Sequence, residues 1–400
     1  MIHDIRAHCG NSGGFSIVMI LLNSSTWLAP FLIQNSQCPV RRMVSVCGTT
    51  SPTTRFRSRA SNVHDTFGER PPDPSTLLNN DEQEQSVQKL VDWWCDKEQV
   101  LCLTGAGLST ESGIPDYRGN QGSYHKGHKP MVHDQFMGFE QQRKRYWGRG
   151  LVGWKSFDST SPNDGHYAIA KLEEAGKLGV VYDDQPEFYL PGEDHDDENV
   201  TDFLYSTGKR KLALITQNVD TLHRRAGSKH LIELHGRTDR LRCMNCGSTT
   251  DRRSFHDELE NLNKEWLDLA REQARQEDFR ADGDAEVRSG NYEAVRVPAC
   301  KECSVGFLKP DVVFFGDSVP KGRVEQCRAA VRNADGLLVV GSSLAVHSAF
   351  QHVRAADKAG IPIAILNVGT TRAQAEGIKT LSIEAPAGPT LRGFIETLQL

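Results

Sequence analysis

The chain has 400 residues, 38% of them hydrophobic and 25% charged, with a formal net charge of −5. That is the composition of an ordinary globular protein with one large or two modest domains. A net negative balance argues against a general nucleic-acid binder, which carries a basic excess or stripe. Ten cysteines over this length do not make a disulfide scaffold. Four fall in two C-x-x-C pairs, while Cys9, Cys38, Cys47, Cys95, Cys102 and Cys327 are scattered and read as small hydrophobes.

Residues 1–80 differ from the rest. The apolar runs Phe15–Leu22 and Trp27–Ile33 are broken by polar residues and too short for a membrane span. Arg41–Arg59 is rich in Arg, Ser and Thr and has no acidic residue, which is transit-peptide composition. The expectation is a disordered targeting segment, mitochondrial first and plastid second, with Met43 as an alternative start. Order is predicted to begin near Asp81, where Val87, Leu90, Val91 and Trp94 follow helical spacing. The single catalytic unit then runs over 81–400.

Apolar runs at Val100–Thr104, Leu212–Thr216, Val312–Phe315, Leu337–Val340 and Ile363–Leu366 read as buried strands. Helical stretches such as Ser348–Lys358 lie between several of them, which predicts an α/β fold with a doubly wound parallel sheet. Ligands of such sheets bind beyond the carboxyl ends of the strands. Those ends carry Gly105-Ala-Gly107, Gln217-Asn-Val-Asp220, Gly341-Ser-Ser343 and Asn367-Val-Gly369, tips suited to a nucleotide. Two segments interrupt the pattern. The acidic stretch 182–209 reads as a solvated loop insertion. In 251–298, Ser254–Asp257 resembles a capping box and Phe255, Leu259, Leu262, Trp266 and Leu269 recur as one helix face, with Arg271–Gly290 expected to stay unpacked.

The Gly-x-Gly after the first strand is not a dehydrogenase fingerprint. Thr110 holds the place of the third glycine, and no acidic residue follows about twenty positions on to grip a ribose. Instead comes Gly113-Ile-Pro-Asp-Tyr-Arg118. Cys243-Met-Asn-Cys246 and Cys300-Lys-Glu-Cys303 are zinc knuckles separated by residues 247–299. Four thiolates leave no open position, so the zinc is structural; a redox dithiol is the alternative. Asn218 and Asp220 follow a strand directly and point at the crevice. His235, at the approach to the first knuckle, reads as a base able to take a proton from a ribose hydroxyl, and His223 as structural.

The motifs G-A-G-x-S-x-E-S-G-I-P-D-Y-R (105–118), T-Q-N-V-D-x-L-H-x-x-A-G (216–227), E-L-H-G (233–236), K-P-D-V-V-F-F-G (309–316), G-S-S-L (341–344) and N-V-G (367–369), with the paired knuckles, resemble the sirtuins in residues and order. Pro-Asp-Tyr-Arg, Arg145-Tyr-Trp-Gly-Arg149 and the long gap between knuckles resemble the class II branch, nearest the fourth mammalian sirtuin. The resemblance implies a Rossmann-like large domain, a smaller zinc-binding domain over about 237–311, one structural zinc ion, and NAD consumed as co-substrate by a protein-lysine deacylase acting on acylated-lysine proteins.

Carried across, Gly105, Ala106, Gly107 and Ser342 would hold the pyrophosphate, and Gln217, Ser343 and Asn367 the riboses. Ile114, Asp116 and Asn218 would hold the nicotinamide end, with Asp220 supporting that pocket and Tyr117 covering it. Arg118 would position the flexible loop, and Ser109, Glu111, Val219, Gly341, Val368, Gly369 and Ala387 would complete the NAD site. His235 would be the general base, with Asn218 and Asp116 beside it in the catalytic set. Val312, Val313, Phe314 and Phe315 would line the acyl-lysine tunnel and pair with the substrate backbone.

Tyr146 and Arg149 resemble a Tyr-x-x-Arg pattern that reads an acyl carboxylate; the other reading is packing for Tyr146 and a helix-surface charge for Arg149. His347-Ser348 stands where many deacetylases have Tyr-Pro, and Tyr117 where many have Phe, which points away from efficient deacetylation. Mono-ADP-ribosyl transfer, lipoamide removal and a non-catalytic NAD sensor remain the alternatives, with a zinc-bearing dehydrogenase behind them.

Overall fold

The computed structural model describes residues 78–119, 122–124, 127, 129–183, 208–273, 279–287 and 291–400. The proposed targeting segment and the body of the acidic insertion lie outside the described residues. Helix α1 (Asn80–Trp94) starts on a reciprocal cap: Asn79 Oδ1 accepts from Glu82 N at 2.9 Å and Glu82 accepts from Asn79 N at 3.1 Å. Its apolar stripe buries Leu90, Val91 and Trp94, the last with its ring tilted against that of Phe394 at 5.1 Å. Among the described residues no helix is long and apolar enough to cross a membrane.

The chain then runs β1 (Val100–Thr104), a 3₁₀ segment (Ala106–Ser112), α2 (His133–Gly138), α3 (Glu140–Ser159), α4 (Asp164–Glu174), β2 (Val180–Asp183), β3 (Lys209–Leu212), β4 (Leu214–Thr216), α5 (Leu222–Ala226) and β5 (Leu231–Glu233). It continues through β6 (Gly236–Cys243), β7 (Thr249–Asp251), α6 (Arg252–Leu262), α7 (Lys264–Gln273), β8 (Leu308–Val312), α8 (Lys321–Asn333) and β9 (Gly336–Val340). Helix α9 (His347–Lys358), β10 (Ile363–Leu366), α10 (Arg372–Ala375), β11 (Leu381–Ile383) and α11 (Ala387–Thr397) complete it.

Six strands form one sheet in the order β11-β10-β9-β1-β4-β5, and every pairing is parallel. The chain winds from β1 to β4 and β5, returns to β9 on the other side of β1, and winds outward again. That is a doubly wound Rossmann-like sheet, as expected. The strand ends are level: Thr104 pairs with Thr216 and Val340, Thr216 with Glu233, and Leu366 with Val340 and Ile383. Leu101, Leu103, Ile215, Ile232, Val339, Phe350 and Val353 belong to the core on this sheet. A second, antiparallel sheet of order β7-β6-β8 carries the cysteine knuckles and has its own core of Phe136, Trp147, Leu151, Leu241, Phe255 and Leu259.

Several expectations are corrected. Val312–Phe315 is not a strand of the parallel sheet: β8 ends at Val312 and pairs with β6. The helix read through Phe255–Leu269 is two helices. Asn263 turns the chain between them, donating to Leu259 O at 2.7 Å and Arg296 O at 2.8 Å, and accepting from Arg296 N. The cap of α6 is Asp251, which accepts from Ser254 N at 2.9 Å, and not Ser254. Within Arg271–Gly290, Arg280, Ala281, Asp284, Ala285 and Val287 are buried rather than unpacked. Tyr182, at the start of the acidic stretch, is buried in β2, which pairs antiparallel with β3.

Candidate active site and zinc centre

The tips of β1 and β9 meet closely. Gly105 N donates to Val340 O at 3.0 Å and Gly107 N to Gly341 O at 2.8 Å. A Cβ on Gly107 would lie 2.8 Å from Gly341 O, a backbone atom that has no rotamer to yield. Gly341 itself has φ +60, and a Cβ there would meet Leu108 N at 2.3 Å. Gln217 braces the same tips, donating to Thr104 O at 3.1 Å and Ser342 Oγ at 2.8 Å. Asn367 folds its amide onto Val368 O and Gly369 O at the tip of β10. Glu111 accepts from Gly388 N at 2.9 Å beside Ala387, and burial raises its carboxyl above the usual range.

The floor of the cleft is a buried polar network. Asp220 accepts from Ser109 Oγ at 2.7 Å and from Leu222 N at 2.9 Å, and burial holds its carboxyl above the usual range. Asn218 donates to Gly105 O and to Ser109 Oγ, both at 3.1 Å. Asp116 accepts from Gly119 N at 3.0 Å, while the Tyr117 ring lies 5.5 Å from Tyr124 and Arg118 stands over Tyr124 at 5.1 Å. His223 sits behind this floor as expected, 3.0 Å from Thr104 Oγ1, with burial pushing its pKa down to about 3.

His235 follows β5 and faces the cleft. Its Nδ1 lies 3.1 Å from Gln217 O, and a carbonyl can only accept, so Nδ1 carries the proton and Nε2 holds the free lone pair. The Ser348 hydroxyl donates to that lone pair at 2.7 Å. Burial pushes the imidazole down to about 4, with the Gln217 carbonyl pulling it back and Arg323 reinforcing the fall. The ring is therefore a neutral base with one fixed tautomer.

These groups line one cleft of ≈ 2060 Å³. Around it stand Gly105, Ala106, Gly107, Ser109, Glu111, Ile114, Asp116, Tyr117 and Arg118; Gln217, Asn218, Val219, Asp220 and His235; Gly341, Ser342 and Ser343; and Asn367, Val368, Gly369 and Ala387. Val312, Val313, Phe314, Phe315 and Tyr146 line it as well. Val313 N donates to His235 O at 2.9 Å, and His133 N to Phe315 O at 2.9 Å. Tyr146 packs against Phe136, Trp147 and Phe314 with ring centres 5.1–5.5 Å apart.

Arg149 is the exception. It does not line the cleft and is neither a surface charge nor placed to read an acyl carboxylate, because it is buried and its guanidinium pairs with Asp284 at 2.9 Å and Glu286 at 3.6 Å. Sequence reasoning missed Ala281 and Asp282, which line the cleft from the stretch expected to be unpacked. The small residues Ala281, Gly283 and Ala285 between its charges were the available signal. In the sequence Ser348 stands out only as a departure from a motif.

The four knuckle thiols converge, all Sγ atoms lying within 4.8 Å of one another. Cys243 Sγ is 3.7 Å from Cys303 Sγ, and Cys246 Sγ is 3.8 Å from Cys300 Sγ. Sulfurs bound tetrahedrally at about 2.3 Å from zinc stand about 3.8 Å apart, so the set fits that ion and leaves no open position. Asn245 N and Gly306 N donate to Cys243 Sγ and Cys303 Sγ at 3.4 and 3.3 Å. Backbone N–H groups of Val305 and Gly306 lower Cys303 to about 6, favouring the thiolate that a metal needs.

The comparisons agree with this architecture. The Sir2 family profile matches residues 105–185 and 199–348. The NAD-dependent protein deacetylase 2 of Bradyrhizobium diazoefficiens is 41% identical over 297 residues, 74% of this chain and 93% of that protein. The NAD-dependent protein deacylase Sirt4 of Drosophila melanogaster is 38% identical over 310 residues, 77% of this chain and 86% of that protein. A solved Sir2 histidine-to-alanine variant with deacetylated p53 peptide and 3′-O-acetyl ADP-ribose superimposes with TM-score 0.56 at 26% identity, covering 78% of this chain and 97% of that one. By its matched domain, its relatives and its fold, this chain belongs to the Sir2 family, the sirtuins.

Proposed function

We propose that the protein is an NAD-dependent protein-lysine deacylase. The observation that carries this is His235: a neutral imidazole with Nε2 as its accepting atom, set in the cleft between the glycine tips of β1 and β9 and the apolar wall Val312–Phe315. NAD is the co-substrate, and the residues present suit it. Gly105, Ala106, Gly107 and Ser342 bind the pyrophosphate, since only glycine lets the β1 and β9 backbones approach this closely. Gln217, Ser343 and Asn367 bind the riboses, with Glu111, Gly341, Val368, Gly369 and Ala387 around them. Ile114, Asp116, Asn218 and Val219 hold the nicotinamide end over the Ser109–Asp220 pair, under Tyr117 and Arg118.

The acyl-lysine enters along Phe314, Phe315 and Tyr146, its backbone pairing beside Val312 and Val313. As nicotinamide leaves, the acyl oxygen captures the ribose carbon. His235 then removes a proton from a ribose hydroxyl, which attacks the acyl carbon, and water releases the free lysine and O-acyl-ADP-ribose. Zinc, held by Cys243, Cys246, Cys300 and Cys303 in a small domain of about 237–311, keeps β6 and β8 together and takes no part in the chemistry. The Arg/Ser-rich composition of residues 41–59 supports import into mitochondria.

The test is nicotinamide release from NAD against acetyl-, succinyl-, methylglutaryl-, lipoyl- and long-chain-acyl-lysine peptides, with His235→Ala in parallel. Release that follows one acyl class, with loss of the deacylated product in the variant, is expected. NAD binding without release for any peptide would overturn the deacylase and leave ADP-ribosyl transfer or sensing.

A further inference from the structure

The lone pair that makes His235 a base is already engaged. Its Nδ1–H is committed to Gln217 O at 3.1 Å, so any proton it gains must arrive at Nε2. There the Ser348 hydroxyl donates at 2.7 Å, in the short range expected of a strong hydrogen bond. Ser348 lines the same cleft as His235 and the β9 tip. It sits in the first turn of α9, a helix of twelve residues (His347–Lys358) whose start bears partial positive charge, which makes a hydroxyl there a better donor and steadies negative charge on its oxygen.

The backbone that delivers it is specific. Leu344 turns through a left-handed φ of 57°, held by Leu344 N donating to Ser342 Oγ at 3.2 Å. Behind the pair, one helical turn on, His352 is fully buried and its ring nitrogens have no hydrogen-bond partner among the described residues. Burial pushes it down to about 3, so it supplies neither a competing base nor a charge at working pH.

We propose that Ser348 is a proton relay between the ribose hydroxyl and His235, an inference that rests on the deacylase reading above. The ribose O–H gives its proton to Ser348 Oγ as Ser348 passes its own proton to His235 Nε2. The ribose oxygen pair forms the bond to the acyl carbon as that carbon's π pair to the lysine nitrogen breaks and returns to the nitrogen. The imidazole becomes imidazolium, and Ser348 ends the step unchanged as a hydroxyl. A residue without a side-chain O–H at this position cannot serve, and would leave Nε2 to reach the ribose directly.

The experiment compares two steps of the same catalytic cycle in full-length protein. Exchange of labelled nicotinamide into NAD, run with the acyl-lysine peptide that wild type turns over fastest, reports the step before the base is needed. Formation of deacylated peptide reports the whole cycle. Ser348→Ala is expected to lower deacylation about 100-fold, the lower end of what a positioned proton-transfer group contributes, while exchange stays within about twofold. Ser348→Thr, which keeps a hydroxyl, is expected to restore most of the deacylation. If Ser348→Ala melts below wild type, Ser348→Cys, a weak donor, is read by the same ratio. Deacylation in Ser348→Ala equal to or above wild type overturns the relay, since the hydroxyl would then only block the base. Equal loss of exchange and deacylation also overturns it. Absence of both reactions in wild type instead overturns the deacylase reading itself.

Discussion

Arg149 and Asp284 face each other at 2.9 Å with almost no exposure of either, on elements far apart in the chain. Asp284 raises the arginine's pKa against the opposing effect of burial, which secures the charge where water cannot. Removing one member of such a pair leaves the other buried without its nearest opposite charge. Arg149→Ala is expected to lower unfolding free energy by about 3–5 kcal/mol. Denaturant titration checks this, and the Arg149→Ala, Asp284→Ala double variant should cost less than the sum of the two single changes.

Gly107→Ala tests the meeting of the β1 and β9 tips. The added methyl has only Gly341 backbone to push against at 2.8 Å, so the tips must part. The expected cost is about 1–3 kcal/mol of stability, together with loss of NAD binding by calorimetry. Retained affinity would show that the pyrophosphate does not depend on this approach.

The buried histidines set the acid behaviour. His235 is lowered to about 4, and His223 and His352 to about 3, from an ordinary value of 6.5. The unfolded chain therefore binds protons that the fold refuses, and stability falls as pH drops below about 6.5 and goes on falling until these low values are reached. His352→Leu removes one such group. The slope of unfolding free energy between pH 4 and 6 is expected to become shallower by about 1.4 kcal/mol per pH unit. Wild type and variant with parallel slopes would mean that His352 does not carry this load.

Zinc content gives an independent check on the knuckles. Purified protein is expected to hold one equivalent of zinc, released by a thiol-modifying reagent. Cys246→Ser should lose the metal and melt at lower temperature, because β6 and β8 pair with each other beside the thiols, with Cys243 opposite Leu308. A metal-free wild type with unchanged melting would favour a dithiol role instead.

How much of this was legible follows from where the determining contacts lie. The strands β1, β9 and β10 are continuous apolar runs, buried on both faces, and their glycine and amide tips stand next to them in sequence. Local pattern was enough there. Strands β5 and β11 are three residues each, too short to carry a period. The division at Asn263 depends on Arg296, and the burial of Arg280 and Asp284 in a charge-rich stretch depends on partners across the chain such as Arg149. No window of neighbouring residues contains that information. The Tyr146–Arg149 motif misled for the same reason: its spacing is right, and only the position of Asp284 decides where the guanidinium goes.

The six strand ends lie in one row, so the sheet edge works as a measure of length. Two strand spacings, about 10 Å, separate the tip of β1 from that of β10. A ligand that touches both Thr104 at the end of β1 and Leu366 at the end of β10 must be extended enough to bridge the tip of β9 between them. Small anions and single phosphates can occupy one tip but cannot reach both, so the row of strand ends sets a minimum length for anything that spans it.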